Sequence, residues 1–360
     1  MSTHEERQER LLAVLGTRDE AALLVTDLDN VRYLTGLASS NAIALIGPTV
    51  RMLFTDSRYA TLARTAAQGA QVVIAGRDLM DRLAEHVREL GAGAKLAIEA
   101  ENVTLARRDR IAAAIGTTVS LVPTTGLVED LRVIKDANEI ATMREASRIA
   151  DVAFAWCETT ILVGRSERDI AWELAGILRE EGAEGPSFPI IVAGGSNGAL
   201  PHAVPGPDEI PANTLVVVDM GALFGGYASD CTRTYATGTL PPRLADAYDA
   251  CLAAQQAAVL AVRPGATCGE LDALARDMIS AAGFGDAFGH GLGHGVGLQI
   301  HERPWVRPAG AEVLQSGMAI TIEPGIYLEG LGGVRIEDLV IVTETGGEVL
   351  TNRPRERHMN

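Results

Sequence analysis

The segment FGHGLGHGVGLQIHE, residues 288–302, contains three of the seven histidines of the chain: His290, His294 and His301. Glycine adopts backbone torsions that other residues avoid, and it lets the backbone approach another group closely. A segment this rich in glycine and histidine is poorly suited to a helix or to a packed strand. We therefore predict a loop that wraps imidazoles around a bound group, rather than a glycine-rich turn with incidental histidines.

Two stretches of the same form flank this loop. LVVVD is an apolar strand that ends in Asp219, after which the chain turns through glycines and returns with Asp230. AITIE ends in Glu323, turns through glycines and returns with Glu337. Because both stretches follow a helical segment, the pattern predicts a duplicated unit with pseudo-two-fold symmetry.

The four acids of these stretches are candidate metal ligands. A carboxylate buried on an apolar strand is costly, and four of them can share one site only if cations neutralise them. Separate salt bridges would explain each acid taken alone. The repeated context, with His294 between the stretches, instead favours two divalent ions held by oxygen and imidazole, which suits Mn²⁺, Fe²⁺, Co²⁺ or Mg²⁺. Two such ions about 3.5–4 Å apart activate a bridging water and polarise a carbonyl, which predicts hydrolysis of an amide or ester.

The composition narrows the other possibilities. A formal net charge of −16 argues against nucleic acid or an anionic membrane as a partner, because both attract basic surfaces. We expect no signal peptide, since the N-terminus is charged, and no membrane span, since no apolar run reaches about 18 residues. The cysteines show no CxxC pairing, which is typical of reduced thiols in a cytoplasmic protein. They are Cys157, Cys231, Cys251 and Cys268.

The first third of the chain alternates short apolar runs with segments of helical spacing, which predicts an α/β domain ending near residue 125. Within it, NVRYLTGLASSN, residues 30–41, lies between the first two strands, and the sequence alone leaves open whether it is an ordinary surface loop. A break at Pro123–Gly126 precedes a long helical stretch from about Asp136. Further on, the loop GGSNGALPHAVPG carries His202.

Four motifs together resemble the pita-bread metallopeptidases, namely VVVDMGALFGGYASDCTRTY, GHGLGHGVGLQIHE, ITIEPGIY and VRIED. That group includes methionine aminopeptidase, aminopeptidase P, prolidase and creatinase, and the resemblance spans about residues 130–350. NVRYLTGL and RVIKDANEI resemble the N-terminal domain and junction of the two-domain members; methionine aminopeptidases usually lack that domain. The resemblance implies a creatinase-like α/β domain over residues 1–125. An α+β pita-bread catalytic domain with an internal pseudo-two-fold repeat would follow over residues 126–360.

The resemblance also implies a complete set of metal ligands. Asp219 would bind one ion with both oxygens, and His294 and Glu323 would bind the other. Asp230 and Glu337 would bridge the two ions, which we expect to be Mn²⁺, with Co²⁺ or Fe²⁺ as alternatives. Creatinases lack this complete set, which argues against a creatinase. The non-catalytic, protein-binding relatives have also lost ligands, so an enzyme is favoured over a binding module.

Further roles follow from the same resemblance. His202 and His301 would lie beside the scissile carbonyl and donate hydrogen bonds to the developing oxyanion. Glu323 would also carry a proton from the attacking water to the leaving nitrogen. His290 would line the proline side of the pocket, and Arg335 would orient a ligand carboxylate from outside the ligand shell.

Two reactions remain open, both on peptides with proline at the second position. A prolidase cleaves Xaa-Pro dipeptides, whereas an aminopeptidase P releases the residue before proline from longer peptides. A dipeptidase must bind a free carboxylate, for which Arg303 and Arg307 are candidates, although either can be an ordinary surface charge. We favour the dipeptidase. The resemblance further implies a homodimer in which residues near 30–41 of one subunit lie close to the partner's active site.

Overall fold

The computed structural model describes residues 2–356 and 358–359, and the chain divides into two compact units, Met1–Arg132 and Val133–Asn360. The boundary predicted from the sequence, after residue 125, lies slightly earlier. Residues 129–132 belong with the first unit because Asn30 donates a hydrogen bond to Glu129, and the Tyr33 hydroxyl donates one to the carbonyl of Leu131. In the part of the chain described, no helix is both long and apolar enough to cross a bilayer.

The first unit is built on one six-stranded mixed sheet. Its helices are α1 (Thr3–Leu15), α2 (Leu28–Thr35), α3 (Ala60–Ala66), α4 (Met80–Val87), α5 (Leu105–Ile115) and α6 (Glu129–Arg132). Its strands are β1 (Ala22–Val25), β2 (Ala42–Gly47), β3 (Val50–Asp56), β4 (Gln71–Ala75), β5 (Lys95–Glu99) and β6 (Ser120–Thr124). In the order β4-β3-β2-β1-β5-β6, β1 is antiparallel to β2 and parallel to β5. Apolar side chains of the strands pack against Leu83 of α4 and Ile111 of α5. This packing of helices on a sheet confirms the predicted α/β class.

Two elements of the first unit differ from the prediction. Much of residues 30–41, for which a surface loop was one interpretation, belongs to the helix Leu28–Thr35, which buries Val31 and Leu34 completely. Asp27 caps the N-terminus of this helix, and Gly36 ends it at a positive φ of 83°. Helix α1 was not predicted, although Ser2 and Glu5 form a capping box at its start.

The described residues of the second unit form four long helices and several small sheets. Its helices are α7 (Ala137–Thr159), α8 (Glu167–Glu180), α9 (Pro242–Ala261) and α10 (Cys268–Ala281). The strands of its first half are β7 (Gly185–Pro186), β8 (Ile191–Gly194), β9 (Leu215–Met220), β10 (Ala222–Phe224), β11 (Tyr227–Ala228) and β12 (Cys231–Ala236). Those of its second half are β13 (Gly293–Gly295), β14 (Glu302–Val306), β15 (Ala319–Ile322), β16 (Gly325–Leu328), β17 (Gly332–Arg335), β18 (Asp338–Val342), β19 (Gly347–Val349) and β20 (His358–Met359).

The two halves of this unit repeat one order of elements. In the first half, α7 and α8 precede β9, the hairpin β10–β11 and β12; in the second, α9 and α10 precede β15, the hairpin β16–β17 and β18. Strand β9 pairs antiparallel with β12, and β15 pairs antiparallel with β18. Each helix pair buries apolar side chains against the strands of its own half. The predicted α+β unit with an internal pseudo-two-fold repeat is therefore confirmed.

The histidine-rich segment differs from its prediction in one respect. Residues Gly293–Gly295 form the short strand β13, which pairs with β14 and β15, whereas the sequence predicted no packed strand here. A Cβ on Gly293 would lie 2.1 Å from the carbonyl oxygen of Thr321, and a Cβ on Gly295 would lie 2.1 Å from that of Arg303. The glycines therefore serve close packing between strands, and they set His294 rigidly in a sheet.

Candidate active site

The five predicted metal ligands line one cavity of about 640 Å³ in the second unit. Asp219 lies in β9 and Asp230 immediately precedes β12; Glu323 immediately follows β15 and Glu337 immediately precedes β18. An acid at the end of an outgoing strand therefore meets an acid at the start of its antiparallel return strand. Because this happens in both halves, the repeat brings four carboxylates together, and β13 adds His294.

Three of these residues form a compact group of ligand atoms. Asp230, His294 and Glu337 each offer an atom that lies within 4.8 Å of the others. The Nδ1–H of His294 donates a hydrogen bond of 3.0 Å to the carbonyl oxygen of Gly295. Nε2 of His294 then faces the acids, 3.2 Å from Oε1 of Glu323 and 3.6 Å from Oδ2 of Asp230. A histidine that binds a metal through one ring nitrogen is usually held in place by a hydrogen bond from the other ring nitrogen.

Asp219 has one oxygen without a partner. Its Oδ2 accepts a hydrogen bond of 2.7 Å from Nη2 of Arg335. Its Oδ1 is buried and has no hydrogen-bond partner among the described residues. Leaving a charged oxygen buried and unpaired is costly, so this atom suits a cation.

The electrostatics of the acids point in the same direction. Burial, together with neighbouring carboxylates, raises the pKa of Asp230 and the pKa of Glu337 well above their usual range. Burial also acts to raise the pKa of Glu323, but the hydrogen bond and charge of His294 lower it to about 2. A set of crowded buried carboxylates, one imidazole nitrogen and an unpaired oxygen fits divalent cations with oxygen and nitrogen ligands.

The predicted substrate-side histidines also line the cavity. His202 and His301 are exposed to it, and the ring of His301 lies 4.4 Å from that of His294, edge to face. Burial and the neighbouring His294 lower the pKa of His301, so it is neutral near pH 7. A neutral imidazole still carries one N–H and can donate it to a substrate oxygen.

His290 is engaged differently. Its Nδ1 lies 2.7 Å from the carbonyl oxygen of Gly291, and its Nε2 lies 3.0 Å from the hydroxyl of Tyr327. Burial lowers the pKa of His290, which keeps the ring neutral. Both ring nitrogens therefore have protein partners, and the ring offers the cavity an apolar surface, as a wall for a proline ring requires.

Tyr327 was not among the predicted residues. Its hydroxyl accepts a hydrogen bond of 2.8 Å from Nη1 of Arg335 and connects that arginine to His290. Nε of Arg335 also donates to Thr232, whose hydroxyl donates to Glu337. The sequence signal for Tyr327 is its place in the motif ITIEPGIY, from which only Glu323 was predicted as a site residue.

The two candidate arginines have different surroundings. Arg307 lines the cavity, and its guanidinium has no hydrogen-bond or ion-pair partner among the described residues. Arg303 is not among the residues that line the cavity, and its Nε lies 2.9 Å from a carboxylate oxygen of Glu312. Arg307 is therefore the better placed of the two to meet a substrate carboxylate.

Comparison with known proteins identifies the family of the chain. The model of metallopeptidase family M24 matches residues 141–344, and that of the creatinase/prolidase N-terminal domain matches residues 7–134. An uncharacterized peptidase of Bacillus subtilis, YqhT, is 38% identical over 348 residues, which cover 97% of this chain and 98% of that protein. An Xaa-Pro dipeptidase of Pyrococcus furiosus is 46% identical over 230 residues, which cover 64% of this chain and 66% of that protein.

Solved structures extend the likeness over the whole chain. An Xaa-Pro dipeptidase from Bacillus anthracis superposes with a TM-score of 0.96 at 39% identity, covering 99% of this chain and 100% of that one. An X-Pro aminopeptidase from Thermotoga maritima superposes with a TM-score of 0.89 at 34% identity, covering 98% and 100%. These matches confirm the two-domain pita-bread fold, and the family implies divalent metal ions. The chain is a metallopeptidase and belongs to family M24, with a creatinase/prolidase N-terminal domain.

Proposed function

We propose that the enzyme hydrolyses the Xaa-Pro bond of dipeptides with the help of two divalent ions. The observation that carries this proposal is the cavity in which four acids, one of them with an unpaired buried oxygen, meet His294 beside two exposed histidines. Relatives and structural neighbours named Xaa-Pro dipeptidases support the substrate class.

Five residues would hold the ions. Asp219 would bind one ion, His294 and Glu323 the other, and Asp230 and Glu337 would bridge them. When bound, the ions lower the pKa of a shared water and polarise the substrate carbonyl. Oxygen ligands with a single imidazole suit Mn²⁺ first, and Co²⁺ or Fe²⁺ as alternatives.

The side chains around the ions have their own tasks. His202 and His301 donate hydrogen bonds to the carbonyl oxygen as its negative charge develops. Glu323 moves a proton from the attacking water to the proline nitrogen. Its Oε1 already accepts a hydrogen bond of 3.1 Å from Thr321 and contacts His294, which leaves Oε2 to hold that proton.

The chemistry of proline accounts for the kinds of side chain that line the cavity. An Xaa-Pro bond is a tertiary amide without an N–H, so a site cannot hold it through that donor and must recognise the ring. Phe188, Ile191 and Trp305 line the cavity and can contact an apolar ring. Arg307, which also lines the cavity, would bind the free carboxylate just beyond the ring.

The decisive experiment compares Ala-Pro, its C-terminal amide and Ala-Pro-Ala at equal concentrations with Mn²⁺ present. We expect Ala-Pro to be cleaved fastest because only it presents a carboxylate directly beyond proline. The similarity to the Thermotoga maritima X-Pro aminopeptidase keeps one alternative open. Equal rates on all three peptides would replace the dipeptidase with an aminopeptidase P activity.

We also propose a homodimer in the cytoplasm, with residues near 30–41 of one subunit close to the partner's active site. Four free and buried cysteines support a reducing compartment. A net charge of −16 argues against nucleic acid or an anionic membrane as a partner, and the dipeptidase relatives support small peptides. Light scattering that finds a fully active monomer at nanomolar concentration would exclude the dimer.

A further inference from the structure

The loop that carries His202 is held at both ends by a single buried carboxylate. Glu167 is the first residue of α8, and only 4% of its surface is exposed. Its Oε1 accepts a hydrogen bond of 2.7 Å from the backbone N–H of Gly194, at the end of β8. Its Oε2 accepts one of 3.0 Å from the N–H of Gly206, beyond His202. One side chain therefore joins the two ends of residues 195–205.

A third hydrogen bond reaches into the loop. Nδ2 of Asn197 donates to Oε2 of Glu167 over 2.8 Å. A backbone hydrogen bond joins the same two segments, since the N–H of Arg168 donates to the carbonyl of Gly206 over 3.0 Å. On the cavity side, Nη1 of Arg335 donates to the carbonyl of Pro201 over 3.1 Å.

His202 depends on these anchors for its position. Its own ring has no hydrogen-bond partner among the described residues, although it lines the cavity. The direction of its N–H toward a substrate carbonyl must therefore come from the backbone of the loop. A misplacement of about 1 Å in such a group can cost about 100-fold in rate.

We propose that Glu167 is a positioning residue that sets His202 for catalysis. This inference rests on the proposed function, because it assigns His202 a task on the substrate carbonyl. Only a carboxylate satisfies the arrangement, since three donors point at two oxygens and an ionised carboxylate is purely an acceptor. In a glutamine at this position, the side-chain NH2 group would face at least one of these three N–H donors and could not accept its hydrogen bond.

The first test needs no catalysis. Glu167→Gln is compared with Asp169→Asn, an exposed acid in the same first turn of α8, so both variants lose one charge near the helix N-terminus. Hydrogen exchange of residues 195–206, followed by mass spectrometry, should accelerate about tenfold in Glu167→Gln and stay unchanged in Asp169→Asn. Unchanged exchange in Glu167→Gln would overturn the proposal.

The second test asks whether Glu167 acts through His202. We expect Glu167→Gln to lower kcat/KM for Ala-Pro about tenfold in the parent enzyme, but less than about twofold in a His202→Ala background. The same loss in both backgrounds would mean a general structural effect and would overturn the proposal. If the parent does not cleave Ala-Pro, the proposed function fails, while the exchange measurement still decides whether Glu167 holds the loop.

Discussion

Asp230 and Glu337 are the two acids for which single substitutions are most informative. Each precedes a return strand, and each would serve both ions. We expect Asp230→Asn and Glu337→Gln to lose at least about 100-fold in kcat/KM and to retain less metal after dialysis, because each amide removes a charge that two cations share. Metal content by mass spectrometry and activity on Ala-Pro check this.

The control for these variants is Asp246→Asn, an exposed acid on α9. It should keep the metal content and the rate of the parent. Full metal content and activity in either site variant would exclude that residue as a bridging ligand.

Arg307 permits a sharper test of substrate choice. Arg307→Gln should raise KM for Ala-Pro about 10–100-fold, the loss expected for a hydrogen bond to a charged group. It should leave the rate on Ala-Pro amide unchanged, since that substrate has no carboxylate to bind. Arg303→Gln should change neither rate, because the Arg303 side chain pairs with Glu312. The reverse outcome would assign the carboxylate to Arg303.

For single residues, the sequence predicts those that recur in a repeated context. It does not predict residues whose role depends on contacts formed in the folded chain. The four acids are recognisable because the same strand-and-turn context occurs twice. The spacing of Arg335, Tyr327 and His290 does not indicate their chain of hydrogen bonds, because His290 is distant in sequence from the hairpin β16–β17 that carries the other two. For Glu167, the sequence predicts an acid at the N-terminus of a helix but not its hydrogen bonds to the loop of His202.

At the scale of elements, a buried ion pair joins the segment before α7 to β14. Nζ of Lys135 lies 2.7 Å from Oε1 of Glu302, and the two side chains are 1% and 8% exposed. Lys135→Met should destabilise the second unit by about 3–5 kcal/mol, because it removes one charge of a buried ion pair and keeps the other. Urea unfolding measures the loss.

The exposed pair Arg144–Glu348 provides the matched control for Lys135. Arg144→Gln should cost less than about 1 kcal/mol, since solvent screens that pair. Adding Glu302→Gln to Lys135→Met should recover part of the lost stability. An unchanged unfolding midpoint in Lys135→Met would show that the pair contributes nothing.

Elements are predictable where local signals decide them. The apolar runs before Asp219 and Glu323 become β9 and β15, and the capping residue Asp136 opens α7 as predicted. Asp27 and Gly36 were available as caps for α2 and would have identified that helix. Strand β13 was not predictable, because its glycines form a strand only when β14 and β15 approach from both sides.

At the scale of the whole molecule, the candidate metal site links the two halves of the second unit. Asp219 and Asp230 come from the first half, and His294, Glu323 and Glu337 come from the second. Ions held by both halves bind the folded unit and not the unfolded chain, so they must stabilise it. At a free ion concentration about 100 times the dissociation constant, binding raises the free energy of unfolding by about 2.7 kcal/mol.

The tryptophans make this stabilisation measurable in one unit alone. All three tryptophans of the chain, Trp156, Trp172 and Trp305, lie in the second unit, so their fluorescence follows its unfolding and not that of the first. We expect a chelator to lower the fluorescence-detected Tm and Mn²⁺ to restore it in the parent. In Asp230→Asn the Mn²⁺-dependent shift should be smaller, because the remaining ligands can no longer share both ions. A Tm that is identical with chelator and with Mn²⁺ would mean that no ion joins the two halves.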